Sequence, residues 1–277
     1  MWLPVLMSDV SMVQQECKSR DAIKVTREEG KYIYCIIGTK EKKSFGPLGI
    51  GGRGDELHTI CFNDIGAVVS NSPIIKYSVS RENMLPHEKA IEEVMKEHTV
   101  LPVRFCTIAE NEEKIKRILE KEHSKFKGLL NTMKGKKELG LKAMFKEDVI
   151  YKDILERYED IKVFKEKVAA LPPDKTYYQR AELGKMVEQA LEKEKERYKK
   201  EILANLELLA EDIKINNSYW GMMILNAAFL VIKDKELGFD QRVQELDAKY
   251  GDKIKFKYFG TLPPFNFVNL VIETGEY

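Results

Sequence analysis

Apolar and polar positions follow two periods along this chain, and together they lay out its elements. Tyr32 to Ile37 is apolar almost without a break, the pattern of a buried strand. Leu57 to Phe62 and Ile65 to Ser70 follow as two strands of a hairpin turning at Asn63-Asp64. Ile74 to Val79 reads as a further strand. Ser80 and Glu82 signal a helix start, but Pro86 places the first turn later, so the helix is expected over about 85–98 with Ile91, Val94 and Met95 inward. Val100 to Phe105 returns as a strand, giving a small sheet with one short helix.

The period then changes. Ile115, Ile118, Leu119, Phe126, Leu129 and Leu130 recur at helical spacing, and one helix is expected to about Met133, ended by Gly135. Glu138 to Phe145 alternates, with Leu139, Leu141, Ala143 and Phe145 on the inner face and Glu138 on the outer one, a half-buried strand. Helices are expected over about 148–170, a break at Leu171-Pro172-Pro173-Asp174, and a long helix over about 176–212. That helix carries a stripe through Leu183, Val187, Leu191, Tyr198, Ile202, Leu206, Leu209 and Ile213, and pairs such as Glu196 with Lys200 on its charged side. Met222 to Ile232 is apolar enough for a central strand, Leu237 to Tyr250 is a helix, and Lys253 to Phe259 closes the pattern before Gly260 breaks it. The order strand, helices, strand, helix, strand is ferredoxin-like if Ile213 to Ser218 supplies a fourth strand.

The fold class is therefore α+β in two domains: a small α/β domain at 31–110 and a modified ferredoxin-like domain with long helices at 111–260. Residues 1–30 read as a loosely attached extension and 261–277 as a tail docked on the domains. At 277 residues the chain is long enough for two cores. Its 46 basic and 45 acidic residues nearly cancel, which gives no electrostatic argument for nucleic acid. No run of about 18 apolar residues exists to cross a membrane. The short apolar start, Met1 to Met7, lacks a basic leader and is a poor signal peptide. Cys17, Cys35, Cys61 and Cys106 are scattered, as expected of reduced, buried thiols rather than zinc ligands, and a cytoplasmic chain is expected.

Few motifs carry chemistry. Gly49-Ile50-Gly51-Gly52-Arg53-Gly54 matches a dinucleotide fingerprint by letter, but it lies well past the preceding strand and ahead of another, so a mobile loop is the better reading. His87 and Glu88 are adjacent on a helix, about 100° apart, which suits anchoring or partner contact better than acid–base catalysis. His58, His98 and His123 have no metal-like spacing. Arg104 sits within an apolar run, where a charge calls for a paired acid, with a partner-binding role as the alternative. No cofactor is expected.

The ending is apolar, where chain ends are usually polar and loose. Tyr258-Phe259-Gly260-Thr261-Leu262-Pro263-Pro264-Phe265-Asn266-Phe267 resembles the C-terminal signature of the gas vesicle protein L/F family, Tyr-x-Gly-Pro-x-Pro-Pro-Tyr-x-Phe. His87-Glu88 followed by Leu101-Pro102-Val103-Arg104-Phe105-Cys106-Thr107 is similar to the family's His-Glu and Leu-Pro-x-Arg-Phe-Gly-Thr, and Tyr32 to Gly38 to its opening strand. Thr261-Leu262 replaces Pro-Trp, and Cys106 replaces a Gly, which argues against a glycine backbone there because Cys tolerates positive φ poorly. The resemblance implies an accessory protein required for gas vesicle formation, located in the cytoplasm and at the vesicle. It would bind the hydrophobic shell protein and other vesicle proteins rather than catalyse a reaction. His87, Glu88, Arg104, Phe259, Pro263, Pro264, Phe265 and Phe267 are the candidate partner-binding residues. A nucleotide-binding regulator using the glycine loop and an enzyme using His87, Glu88 and Arg104 are the rival readings.

Overall fold

In the computed structural model, residues 28–172 and 176–272 are described. The expected extension at 1–30 therefore lies almost wholly outside the described residues, as does Cys17. The first sheet is antiparallel and runs β2 (His58–Phe62), β3 (Ile65–Pro73), β1 (Glu29–Ile37), β4 (Val100–Pro102), with β5 (Ile108–Ala109) also paired to β1. Helix α1 (Arg81–Met95) covers one face, setting Ala90, Ile91 and Val94 against Tyr32, Tyr34 and Ile37. Helices α2 (Glu112–Lys121) and α3 (His123–Met133) cover the other, setting Ile118, Phe126 and Leu130 against Ile33 and Ile36. Burial on both faces is why β1 reads as an unbroken apolar run. The hairpin tip is tied to α3 through Asp64, whose carboxylate meets His123 Nε2 and Lys127 Nζ at 2.6 Å each. The hydrogen bonds from Lys127 and then His123 hold the Asp64 carboxyl down at about 2.

The second sheet runs β7 (Asp212–Ile215), β8 (Met223–Ile232), β6 (Lys136–Phe145), β9 (Ile254–Leu262), all antiparallel. Between β6 and β7 come α4 (Glu147–Arg157), α5 (Glu159–Ala169) and the 30-residue α6 (Tyr177–Leu206); α7 (Glu236–Tyr250) joins β8 to β9. Numbered within this unit, the strands lie in the order 2-3-1-4, the ferredoxin-like arrangement. Ile150, Ile154, Ile161, Tyr198, Ile202 and Phe239 pack one core with Leu139, Leu141 and Phe229 of the sheet. The buried carboxylate of Glu194 on α6 accepts from Arg157, Tyr158 and Arg197, so it clamps the α4–α5 corner to the long helix.

Several expectations are corrected. Helix α1 begins at Arg81, and Pro86 sits inside it. The 74–79 stretch forms no strand; β3 ends at Pro73. The helix expected to Met133 breaks at Glu122, whose backbone (φ −96°, ψ 8°) leaves the helical region. The long helix stops at Leu206, because Asp212 and Ile213 are drawn onto the edge of β8. Glu196 pairs with Lys199, not Lys200. Strand β6 is buried on both faces, so Glu138 is 1% exposed rather than outward. Strand β9 continues through Gly260 by a bulge: Phe259 pairs with Gly140 and Leu262 with Glu138, leaving two residues opposite Leu139. Cys61 is only half-buried.

The tail crosses from one sheet to the other. Pro263 and Pro264 are buried, and the Pro264 carbonyl accepts from Val268 N–H at 2.9 Å. Asn266 donates its backbone N–H (2.9 Å) and its Nδ2 (2.5 Å) to the Glu138 carboxylate. Beyond it, Val268, Leu270 and Ile272 enter the core between the first sheet and α2–α3. Leu270 forms a parallel bridge with Val103, extending the first sheet by one short strand.

Candidate functional site

At residue 103 the chain leaves β4 and turns sharply. Cys106 takes a left-handed backbone (φ 64°), the conformation the resemblance assigns to glycine and the one Cys106 was expected to argue against. The turn is held by Tyr32, whose hydroxyl accepts the Cys106 N–H at 2.9 Å, and by Thr107 Oγ1, which donates to the Arg104 carbonyl at 2.7 Å. Cys106 Sγ in turn accepts from Tyr77 N–H at 3.2 Å. Arg104 and Phe105 are thereby pushed out of the sheet plane, between the first turns of α1 and the tail.

His87 closes this arrangement from α1. Its Nδ1 lies 3.0 Å from the Tyr32 hydroxyl. The Tyr32 hydroxyl thus joins the imidazole to the Cys106 backbone in one buried chain of hydrogen bonds. Rings surround the imidazole: Tyr34 stacks at 5.7 Å, Phe105 stands edge-on at 5.6 Å, and Phe265 of the tail lies at 6.4 Å. Burial pulls the His87 pKa down to about 4, with the nearby Val103 carbonyl acting weakly in the opposite sense. Nε2 has no partner in hydrogen-bond geometry among the described residues. Burial also raises the Tyr32 hydroxyl above its ordinary range and pushes Tyr34 up to about 12.

Two adjoining cavities form a groove over this turn. The first, about 670 Å³, is bounded by Met84, His87 and Glu88 of α1, by Val103 to Phe105, and by Phe265 and Val271 of the tail. The second, about 660 Å³, continues past Arg104 and Phe105 to Ile74, Tyr77 and Val79. The walls are apolar, and Ile74, Val79, Met84, Phe265 and Val271 are all exposed. Arg104 stands at the junction. It is exposed and has no ion pair among the described residues, which corrects the expected structural pairing. Burial, then the charge of Glu92, raises the Glu88 carboxyl.

The structure thus gathers four of the eight candidate residues: His87, Glu88, Arg104 and Phe265. The others lie elsewhere. Phe259 is half-buried on β9 with Lys142 Nζ 5.9 Å from its ring centroid. Phe267 packs on the first core, and Pro263 and Pro264 are buried supports. Sequence reasoning missed Tyr32, Met84 and the segment from Asn269 to Ile272, bridged to the sheet at Leu270, which join the groove only through tertiary folding. It also missed Glu138, the anchor of the tail, which the alternating pattern assigns to the outer face.

The rival chemistries fare differently. The glycine loop is anchored at two points: Ile50 is fully buried and donates its N–H to Tyr34 Oη at 2.7 Å, and Arg53 pairs with Glu29 and Asp55. It leads into β2 rather than into a helix, so it lacks the helix that follows the glycines in a dinucleotide fingerprint. His87 is neutral and enclosed rather than set against an acid. Among the described residues, no group of three or more His, Cys, Asp or Glu side chains gathers as a metal site, and no helix is long and apolar enough to cross a membrane.

Residues 30–269 match the family described as "Gas vesicle synthesis protein GvpL/GvpF". Over 217 residues the chain is 27% identical to Gas vesicle protein F of Dolichospermum flosaquae, covering 77% of this chain and 88% of that protein. It is 23% identical over 245 residues to Gas vesicle protein F of Microcystis aeruginosa, covering 87% and 99%. The crystal structure of the gas vesicle protein GvpF from Anabaena sp. PCC7120 superposes with a TM-score of 0.74 at 22% identity, covering 87% of this chain and 99% of that one, a likeness of fold. With its opening strand, its His-Glu and Arg-Phe segments and its aromatic ending all inside the matched span, this chain belongs to the gas vesicle synthesis protein GvpL/GvpF family.

Proposed function

We propose that this chain serves gas vesicle formation as a cytoplasmic accessory factor that binds the apolar shell protein and other vesicle proteins, and that it acts by binding rather than by catalysis. The observation that carries this reading is the groove: exposed apolar side chains concentrated around Arg104, which has no ion pair among the described residues, on a chain of a vesicle synthesis family. Contiguous exposed apolar surface marks an interaction site, and a strongly apolar subunit aggregates unless its surface is covered. A neutral, ring-enclosed His87 supports a positioning role for the histidine at the groove wall. The two-domain division and the tail's role as a strap between them belong to the same reading.

The test is a pull-down of the small shell protein by the intact chain, beside the double variant Met84→Glu, Phe265→Glu. Both side chains are exposed, so the variant should keep its melting temperature within a few degrees. We expect capture by the intact chain and its loss in the variant. Undiminished capture by the folded variant would move the site off the groove, and no capture by the intact chain would overturn the shell-binding reading.

A further inference from the structure

The first sheet ends on an edge that nothing among the described residues covers. The Leu270 carbonyl accepts from Arg104 N–H at 3.2 Å, so the backbone groups of Leu270 face the sheet. In an extended chain, neighbouring residues turn their backbone groups to the opposite side. The N–H and C=O of Asn269 and Val271 therefore face outward, and neither residue makes a backbone hydrogen bond among the described residues. The side chains of these two residues are exposed and line the groove, whereas Val268, Leu270 and Ile272 point into the core.

An outward row of unpaired backbone groups beside apolar cavities is a template for an added strand. A helix laid in the groove would cover the apolar walls but leave those donors and acceptors without partners. Two side chains add polarity to the site. Arg104, exposed and without an ion pair among the described residues, offers a charge at the junction of the two cavities. Glu88, on the α1 wall of the first cavity only, disfavours an acid anywhere else in it. The buried Nε2 of His87 is a further polar atom, without a partner in hydrogen-bond geometry among the described residues and with the Val103 carbonyl nearby.

We propose that this edge takes an extended apolar segment of the shell protein as an added strand. The strand pairs with Asn269 and Val271, fills the two cavities with alternate side chains, and places one carboxylate on Arg104. The assignment rests on the shell-binding reading above.

The experiment measures binding of the full chain to the small shell protein in mild detergent, with backbone amide exchange followed residue by residue. The expected result is slowed exchange at Asn269 and Val271 on binding. Val271→Pro removes an outward N–H and should bind about tenfold more weakly, the effect of losing a main-chain hydrogen bond and the fit around it. Arg104→Gln should weaken binding and flatten its salt dependence. Binding with unchanged exchange at both amides would overturn the added strand while leaving the shell-binding reading standing, and this readout needs no variant to fold. Absence of binding by the unaltered chain would overturn both.

Discussion

His87 and Glu138 are both buried ionisable groups, and burial moves their pKa values past each other. His87 is held neutral with its pKa drawn down to about 4, while the Glu138 carboxyl is pushed up to about 6 by burial, against the two hydrogen bonds from Asn266. For His87, the folded value lies below the unfolded one, so its contribution is complete above the ordinary histidine pKa and is lost as pH falls toward 4. For Glu138, the folded value lies above the unfolded one, so its contribution is present at low pH and is lost as pH rises through about 6. Between these limits the two oppose each other. Glu138→Gln removes one side of the balance while keeping the shape. From pH 7 to pH 5 it should lose about 1 kcal/mol more stability than the unaltered chain, read by urea unfolding at both values. Identical losses would mean that Glu138 does not titrate there. Neither group's setting was legible in the sequence. Glu138 fell on the polar side of an alternating strand, and only the tail, more than a hundred residues later, closes over it. Arg104 lay in an apolar run that suggested burial, but the turn at Cys106 turns it outward.

Elements were legible where burial is two-sided or the amphipathic stripe is long. Strand β1 from Tyr32 to Ile37, and β8 apart from Asn226, are apolar because both faces are buried, and α7 keeps its inner stripe at Phe239, Val243 and Leu246. Strand β7 is four residues long and mostly exposed, so its pattern is weak and pairing with β8 decides it. The break between α2 and α3 has no glycine or proline to announce it. Within the helical excursion, the sequence showed charge pairs along α6 but not the one that matters for packing, since Glu194 meets Arg157 and Tyr158 from a different helix corner. Glu194→Ala should lower stability by about 1–2 kcal/mol and speed amide exchange across α5. The loss stays modest because both arginines are near half exposed and can turn to water. Unchanged exchange in α5 would show that apolar contacts alone seat the corner.

At the scale of the whole molecule, the tail is a strap: Asn266 fastens it to β6 of the second sheet, and Val268, Leu270 and Ile272 complete the core of the first. Ending the chain after Leu262 leaves β9 whole but strips three buried apolar side chains from that core, at a cost of about 5 kcal/mol. We expect a large fall in melting temperature, measured by circular dichroism; an unchanged midpoint would mean that the first sheet closes without its tail. An ending after Tyr258 also removes the last residues of β9, so it tests the sheet as well as the strap.

The same strap sets an order of events during synthesis. The groove draws on residues from Ile74, in the first third of the sequence, to Ile272. A ribosome reads these in turn, and domains begin to fold while later residues are still being added. A nascent chain can therefore pair β1 with β3 and seat α1, yet it has no Phe265 wall and no outer strand. Recognition through this surface starts only once translation has passed Val271, so the groove also reports that both sheets have been made.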